Sequence, residues 1–184
     1  MAVSDYVELR CRSAFSFLDG ASLPEDLLSV AAGQGHHTLA LGDVNGLYGA
    51  PRFFGAARRA GVRALVGAEV TLTDSAAAPV LLLVESRAGY QNLCRLLTQV
   101  HAGRPKGTGS ATHQLLAAHA GGLLALAGAG ARDDLPALLA AFGRDRLYLE
   151  AQRHFDAAEA HQVRAARAQA QAFGIGVVAT NDIR

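Results

Sequence analysis

The chain has 184 residues, of which 51% are hydrophobic and 18% charged, and its formal net charge is +1. That length suits one domain with a substantial core, and that balance excludes a disordered chain. Near-neutrality removes any global electrostatic case for gripping nucleic acid or a membrane surface.

Tyr6–Cys11 reads as a strand. Leu23–Gly33 reads as a helix, with Ser22 as its N-cap and Pro24 in the first turn. Thr38–Gly42 is the next strand, then a loop through Asn45-Gly46 and a helix over Arg52–Ala60. Ala64–Leu72 and Val80–Glu85 are apolar strands. Gly89–Ala102 has helical periodicity, with Leu93, Leu96, Leu97 and Val100 on one stripe. His101–Ser110 is the clearest loop. Gln114–His119 follows as a short helix, Leu123–Ala127 as a strand, Leu135–Phe142 as a helix and Arg146–Ala151 as a strand. Asp156–Phe173 is the longest helix and Val177–Thr180 the last strand. Apolar strands separated by helices imply a parallel sheet covered on its outer side, as a barrel or a doubly wound sheet. No Gly-x-Gly-x-x-Gly follows the first strand, which counts against a dinucleotide-binding version.

In a parallel barrel, chemistry gathers at the carboxyl ends of the strands. Those ends carry Arg10, Arg12 and Asp19, then Asp43, then Glu69, then Glu150, Arg153 and His154, and finally Asn181, Asp182 and Arg184. Carboxylates and a histidine arriving from separate strands are what a hard-metal or zinc site needs. Arg10 and Arg12, spaced i and i+2, point to one face of a strand, but a guanidinium has no lone pair to give a metal. Taken singly, each Asp after a strand is also a common cap or turn former. His36, His37, His101, His113, His119 and His161 read as solvated or capping residues of helices and helix ends. Gly121-Gly122 and Gly128-Ala-Gly130 read as tight turns flanking a strand. There is no Gly-x-Ser-x-Gly elbow, P-loop or Cys with an obvious His partner. Cys11 and Cys94 form no disulfide framework or metal spacing, which fits a reduced, cytoplasmic setting. No secretory signal and no apolar run long enough for a membrane span is visible.

The stretch Tyr6-Val-Glu-Leu-Arg-Cys-Arg-Ser-Ala-Phe-Ser-Phe-Leu-Asp-Gly-Ala-Ser22 resembles the start of the polymerase-and-histidinol-phosphatase (PHP) domain of bacterial DNA polymerase III alpha subunits, closest to their error-prone branch. Leu39-Ala-Leu-Gly-Asp-Val-Asn-Gly-Leu-Tyr-Gly49 resembles its second motif, Gly61–Glu69 the third, and Leu147–His154 and Val178–Arg184 the last two. The order holds over residues 6–184, so the whole chain, 1–184, is expected to be one such domain, either whole or truncated at its C-terminal end, with the polymerase domains absent. The resemblance implies an α/β fold, a distorted (β/α)7 TIM-like barrel, and in active members a trinuclear metal site that hydrolyses phosphate esters. By position, Asp19, Asp43, Glu69, His154 and Asp182 match residues that can serve as ligands. Arg10, Arg12, Val44 and Arg184 replace expected histidines, and Ala129 stands where a cysteine is common.

The resemblance and these departures lead to the following expectations and alternatives. Arg10, Arg12 and Arg184 pair with Asp19, Asp43, Glu69 and Asp182, so that salt bridges replace metal and no cofactor is needed. The domain is a non-catalytic, structural part of an error-prone polymerase III alpha-like protein in lesion-tolerant DNA synthesis. Its partners are polymerase core domains or other replication and repair proteins, it meets DNA through the parent polymerase, and it does not polymerise DNA alone. The competing enzyme reading is a phosphoesterase or 3′-5′ exonuclease with a reduced zinc or manganese site, and a third reading makes Arg10, Arg12 and Arg184 an anion-binding cleft.

Overall fold

Residues 6–153 and 159–184 are described by a computed structural model. Their elements are α1 (Pro24–Gly33), β1 (Thr38–Val44), α2 (Ala50–Ala60), β2 (Arg63–Val70), β3 (Val80–Val84), α3 (Arg87–His101), α4 (His113–Ala118), β4 (Leu123–Ala127), a 3-10 turn (Ala129–Ala131), α5 (Leu135–Phe142), β5 (Leu147–Ala151), α6 (Glu159–Phe173) and β6 (Gly176–Ala179). The expected start of the last helix, Asp156, lies outside the described residues, as does His154. No helix among the described residues is long and apolar enough to cross a membrane.

Local chemistry sets the helix ends. Pro24 opens α1, and Glu25 and Asp26 in its first turn face the positive end of the helix dipole. The N-cap is Leu23, without a side-chain bond, and not Ser22 as the sequence pattern suggests. The carbonyl of Ser22 instead accepts the Ala14 N–H at 2.8 Å, which ties it into the preceding loop. Ser86 caps α3 by accepting the Gly89 N–H at 3.1 Å.

The strands form one sheet in chain order, β1 to β6. It is mixed, which corrects the expectation of parallel strands throughout. β1 and β2 are parallel, as are β4, β5 and β6, but β3 runs antiparallel to both β2 and β4. The reason is the connection: residues 71–79 hold no helix, and a parallel partner would need a longer crossover.

The first segment is not a regular strand either. Glu8 and Cys11 make single parallel bridges to Leu39 of β1 and to Ile183 beyond β6. The Glu8 carboxylate accepts the backbone N–H groups of Arg10 (2.8 Å) and Asn181 (3.0 Å), so a side chain occupies donors that a ladder would use. This segment nonetheless acts as the seventh stave. Ala40 N–H donates to Glu8 O at 3.0 Å on one side, and Arg12 N–H donates to Ile183 O at 2.9 Å on the other.

Alternation along the strands separates two apolar regions. Ala68, Val70, Val80, Leu82, Leu123, Ala125, Leu147 and Leu149 pack outward with α3 to α6, while Leu39 and Leu41 pack against α1 and α2. Ala40, Leu81, Leu83 and Leu126 form a smaller inner cluster with Leu65, Leu124, Tyr148 and Val178. The inner space is narrow: a Cβ on Gly42 would lie 2.4 Å from a Leu81 methyl, and one on Gly67 2.2 Å from the Leu82 carbonyl oxygen. The Gly67 neighbour is backbone and cannot rotate away. Gly67→Ala is therefore expected to cost about 1–3 kcal/mol, read as a lower urea midpoint.

Candidate functional site

The inner faces of the strands end, at the carboxyl side of the barrel, in charged residues. Leu65, Gly67 and Glu69 share one face of β2, and Tyr148 and Glu150 share one face of β5. Glu69 is fully buried and Glu150 is 4% exposed, beside Arg10 at 4% and Arg12 at 6%.

These groups form a chain of alternating charge. Arg10 binds Glu150 through two parallel bonds, Nε to Oε1 at 2.9 Å and a terminal nitrogen to Oε2 at 2.6 Å. Its other terminal nitrogen reaches Glu69 Oε2 at 2.7 Å. Arg12 binds Glu69 in the same forked way, at 2.7 and 2.8 Å. Arg12 then extends to Asp19 Oδ2 at 2.9 Å and Asp182 Oδ1 at 3.4 Å. Arg184 closes the outer end, meeting Asp19 at 3.2 Å and Asp182 at 2.8 Å. Asp182 adopts a left-handed conformation, φ +50°, that turns its carboxylate between the two arginines. Fork geometry of this kind is the strongest form of the arginine–carboxylate bond. Burial opposes the charged state of Arg10, but Glu150 and Glu69 outweigh it and hold the group above its ordinary value. Burial likewise opposes charge on Arg12, and Glu69, Asp182 and Asp19 overcome it.

The arrangement brings together Arg10, Arg12, Arg184, Asp19, Glu69 and Asp182, but not Asp43. Asp43 is 1% exposed and meets no arginine. It accepts the Ser13 N–H (2.8 Å), the Ser13 hydroxyl (2.9 Å) and the Ser16 hydroxyl (2.8 Å). Ser13 and Ser16 thereby fasten the loop that carries Asp19 to the end of β1. Val44 donates its N–H to Ser16 at 3.1 Å. Ala129 lies in the 3-10 turn and, with Glu150, lines a small cavity of about 50 Å³.

Two acids of this network had weak sequence signals. Glu150 stood among the strand-end residues without a partner assigned to it. Glu8 was missed, although its i, i+2 spacing from Arg10 was visible; it accepts bonds from Tyr6, Arg10 and Asn181. Two histidines expected to be solvated or capping are also engaged elsewhere. His101 Nε2 lies 2.6 Å from the Asn45 carbonyl oxygen. His113 sits between Asp74 (2.9 Å) and Asp134 (3.1 Å), holding the loop before β3 against α4 and α5.

Among the described residues, the carboxylates that the arginines hold do not fit a divalent metal ion as they stand. Every carboxylate oxygen of Glu69, Glu150, Asp19 and Asp182 faces a guanidinium nitrogen within ion-pair distance. An ion would have to displace arginines that cannot deprotonate. Among the described residues, no group of three His, Cys, Asp or Glu side chains is arranged to hold one.

Two outcomes follow from this geometry. Glu69→Gln leaves two buried guanidiniums short of a counter-charge and should cost about 3–5 kcal/mol, whereas Arg184→Ala, at a half-exposed pair, should cost under about 1 kcal/mol; urea denaturation of both variants checks the contrast. Cys11 is fully buried, and burial together with Glu8, Asp43 and Asp182 pushes its thiol up to about 12. It should therefore resist a thiol-disulfide reagent near pH 8 in the folded protein and react once the protein is unfolded in urea.

Residues 8–133 match the family model of the PHP domain. The chain is 42% identical over 190 residues to an error-prone DNA polymerase of Anaeromyxobacter sp. (strain K), covering 97% of this chain and 17% of that protein. It is 38% identical over 207 residues to an error-prone DNA polymerase of Burkholderia mallei, covering 97% and 19% respectively. The chain thus spans under a fifth of the length of these relatives. A solved structure from Bifidobacterium adolescentis, of a protein inferred to be a metal-dependent phosphoesterase, superposes with a TM-score of 0.67 at 18% identity, over 96% of this chain and 87% of that one. An amidohydrolase from Chromobacterium violaceum, solved with bound sulfate and no metal, superposes with a TM-score of 0.69 at 14% identity over the same shares. These neighbours share the TIM-like barrel, and by sequence the chain belongs to the PHP domain family.

Proposed function

We propose that this PHP domain is a non-catalytic module of an error-prone DNA polymerase-like protein, in which arginine–carboxylate pairs stand in place of a metal centre. The observation that carries the reading is the saturation of Glu69 and Glu150 by Arg10 and Arg12. A phosphoesterase of this fold needs open carboxylates to bind an ion that activates water. Here the acids are closed by cations whose charge is permanent. The same pairs argue against an anion-binding cleft, since Arg10 and Arg12 already face acids and only Arg184 is half exposed.

The role left to such a barrel is structural. It would support the polymerase core, meet DNA through the parent protein during lesion-tolerant synthesis, and work in the cytoplasm, where its free Cys11 and Cys94 stay reduced. Homology along nearly the whole chain to one part of much longer polymerases supports that placement.

The test combines metal analysis with activity. Purified protein dialysed against zinc or manganese should retain far less than one ion per chain, with no turnover of a chromogenic phosphate ester or single-stranded DNA. Near-stoichiometric metal that Glu69→Gln removes, or turnover that Glu69→Ala abolishes, would overturn the reading and identify a phosphoesterase or 3′-5′ exonuclease with a reduced site.

A further inference from the structure

The hairpin connection between β2 and β3 leaves a gap in the outer layer of the barrel. α2 covers one side of β2 and α3 covers β3, but residues 71–79 supply no helix between them. The result is a groove of about 570 Å³. Ala64 and Val66 of β2 lie along its floor, Pro51 and Phe54 of α2 form one wall, and Val84 and Tyr90 form the other. Phe54 is 54% exposed and Tyr90 45%, so two aromatic rings stand open to water at its edges.

The rim is basic. Arg63 lines the groove. Arg58 follows Phe54 by one helical turn, and Arg87 precedes Tyr90 by one, so each shares a face with the aromatic residue beside it. All three arginines are exposed, and none makes an ion pair among the described residues. α2 carries no acidic residue at all. A small polar ligand would find only Arg63 to orient it, since the other lining side chains are apolar or aromatic. A helix lying between two helices needs just such a trough, with apolar anchors below and charge along the edge.

We infer that this groove docks an acidic amphipathic helix of a partner protein, which fills the position that the β2–β3 hairpin leaves without a helix. The apolar stripe of that helix packs on Ala64, Val66, Phe54 and Tyr90, and its flanking carboxylates meet Arg58, Arg63 and Arg87. The inference does not depend on the state of the charged cluster inside the barrel, so metal analysis and the binding experiment can fail separately.

The chain contains no tryptophan, so a peptide carrying one reports its own environment. The probe is a synthetic helix of about eighteen residues, ~27 Å long, with Leu and one Trp on a single stripe and Glu on both flanks. Added to the purified domain, it should show a blue-shifted Trp emission with a dissociation constant in the micromolar range. Phe54→Asp and Tyr90→Asp should each weaken binding at least tenfold, while Leu18→Asp, at a fully exposed apolar residue of another loop, should leave it unchanged. Arg63→Glu combined with Arg87→Glu should transfer preference to the same peptide with Lys flanks. No blue shift up to millimolar peptide, equal binding by the Phe54→Asp variant, or loss through Leu18→Asp would each overturn the inference. So would a concentration-dependent dimer that Phe54→Asp dissolves, because a second copy would then be the occupant.

Discussion

Glu69 is the residue on which the mouth of this barrel depends. It is fully buried, and both of its oxygens are held by guanidiniums, in a fork from Arg12 and a single contact from Arg10. A carboxylate at that depth without polar partners would carry a large desolvation cost. Each neighbour then sets the next requirement. Arg10, brought in beside Glu69, needs Glu150; Arg12 needs Asp19 and Asp182; those two acids are closed by Arg184. The network therefore ties the first stave to β2, to β5 and to the chain after β6. At the seam that hydrogen bonds close only by isolated bridges, charge pairs also hold the first stave.

Such a network specifies shape more than it adds stability. Desolvating several charges costs a large part of what their attraction returns, and a well-packed apolar layer could be equally stable. What the charges add is directional. A fork of two bonds at 2.7 and 2.8 Å admits one orientation of Arg12 against Glu69, and an apolar contact would admit many. The apolar layer beneath, with Ala40, Leu81, Leu83 and Leu126 in a space narrowed by Gly42 and Gly67, leaves little room for alternatives.

Much of this was legible in the sequence because it lies in periodic segments. The apolar runs located β1 to β6 to within a few residues, and the motif order pointed to the barrel and to Arg10, Arg12, Asp19, Glu69, Asp182 and Arg184 as one set. What escaped depends on distance across the fold or on connection length. The direction of β3 is decided by the short segment 71–79, which reads as an ordinary loop. Asp43 was assigned an arginine because charge suggests one, whereas the hydroxyls of Ser13 and Ser16 reach it first. Glu150 and Arg10 are 140 positions apart, and no local spacing announces that they meet. Glu8 was overlooked because a glutamate near the start of a strand looks solvent-facing until the chain closes around it.

The alternation of acid and base also makes the site intolerant of single substitutions. Replacing Arg10 alone by histidine would strip the forked partner from Glu150 and one contact from Glu69, both in dry surroundings. Replacing Arg12 alone would strip the forked partner from buried Glu69 and one contact each from Asp19 and Asp182. Each such single replacement leaves a buried carboxylate without its partner. The interlocked pairs thus behave as one unit: a change at either arginine calls for a matching change at the acids that it holds.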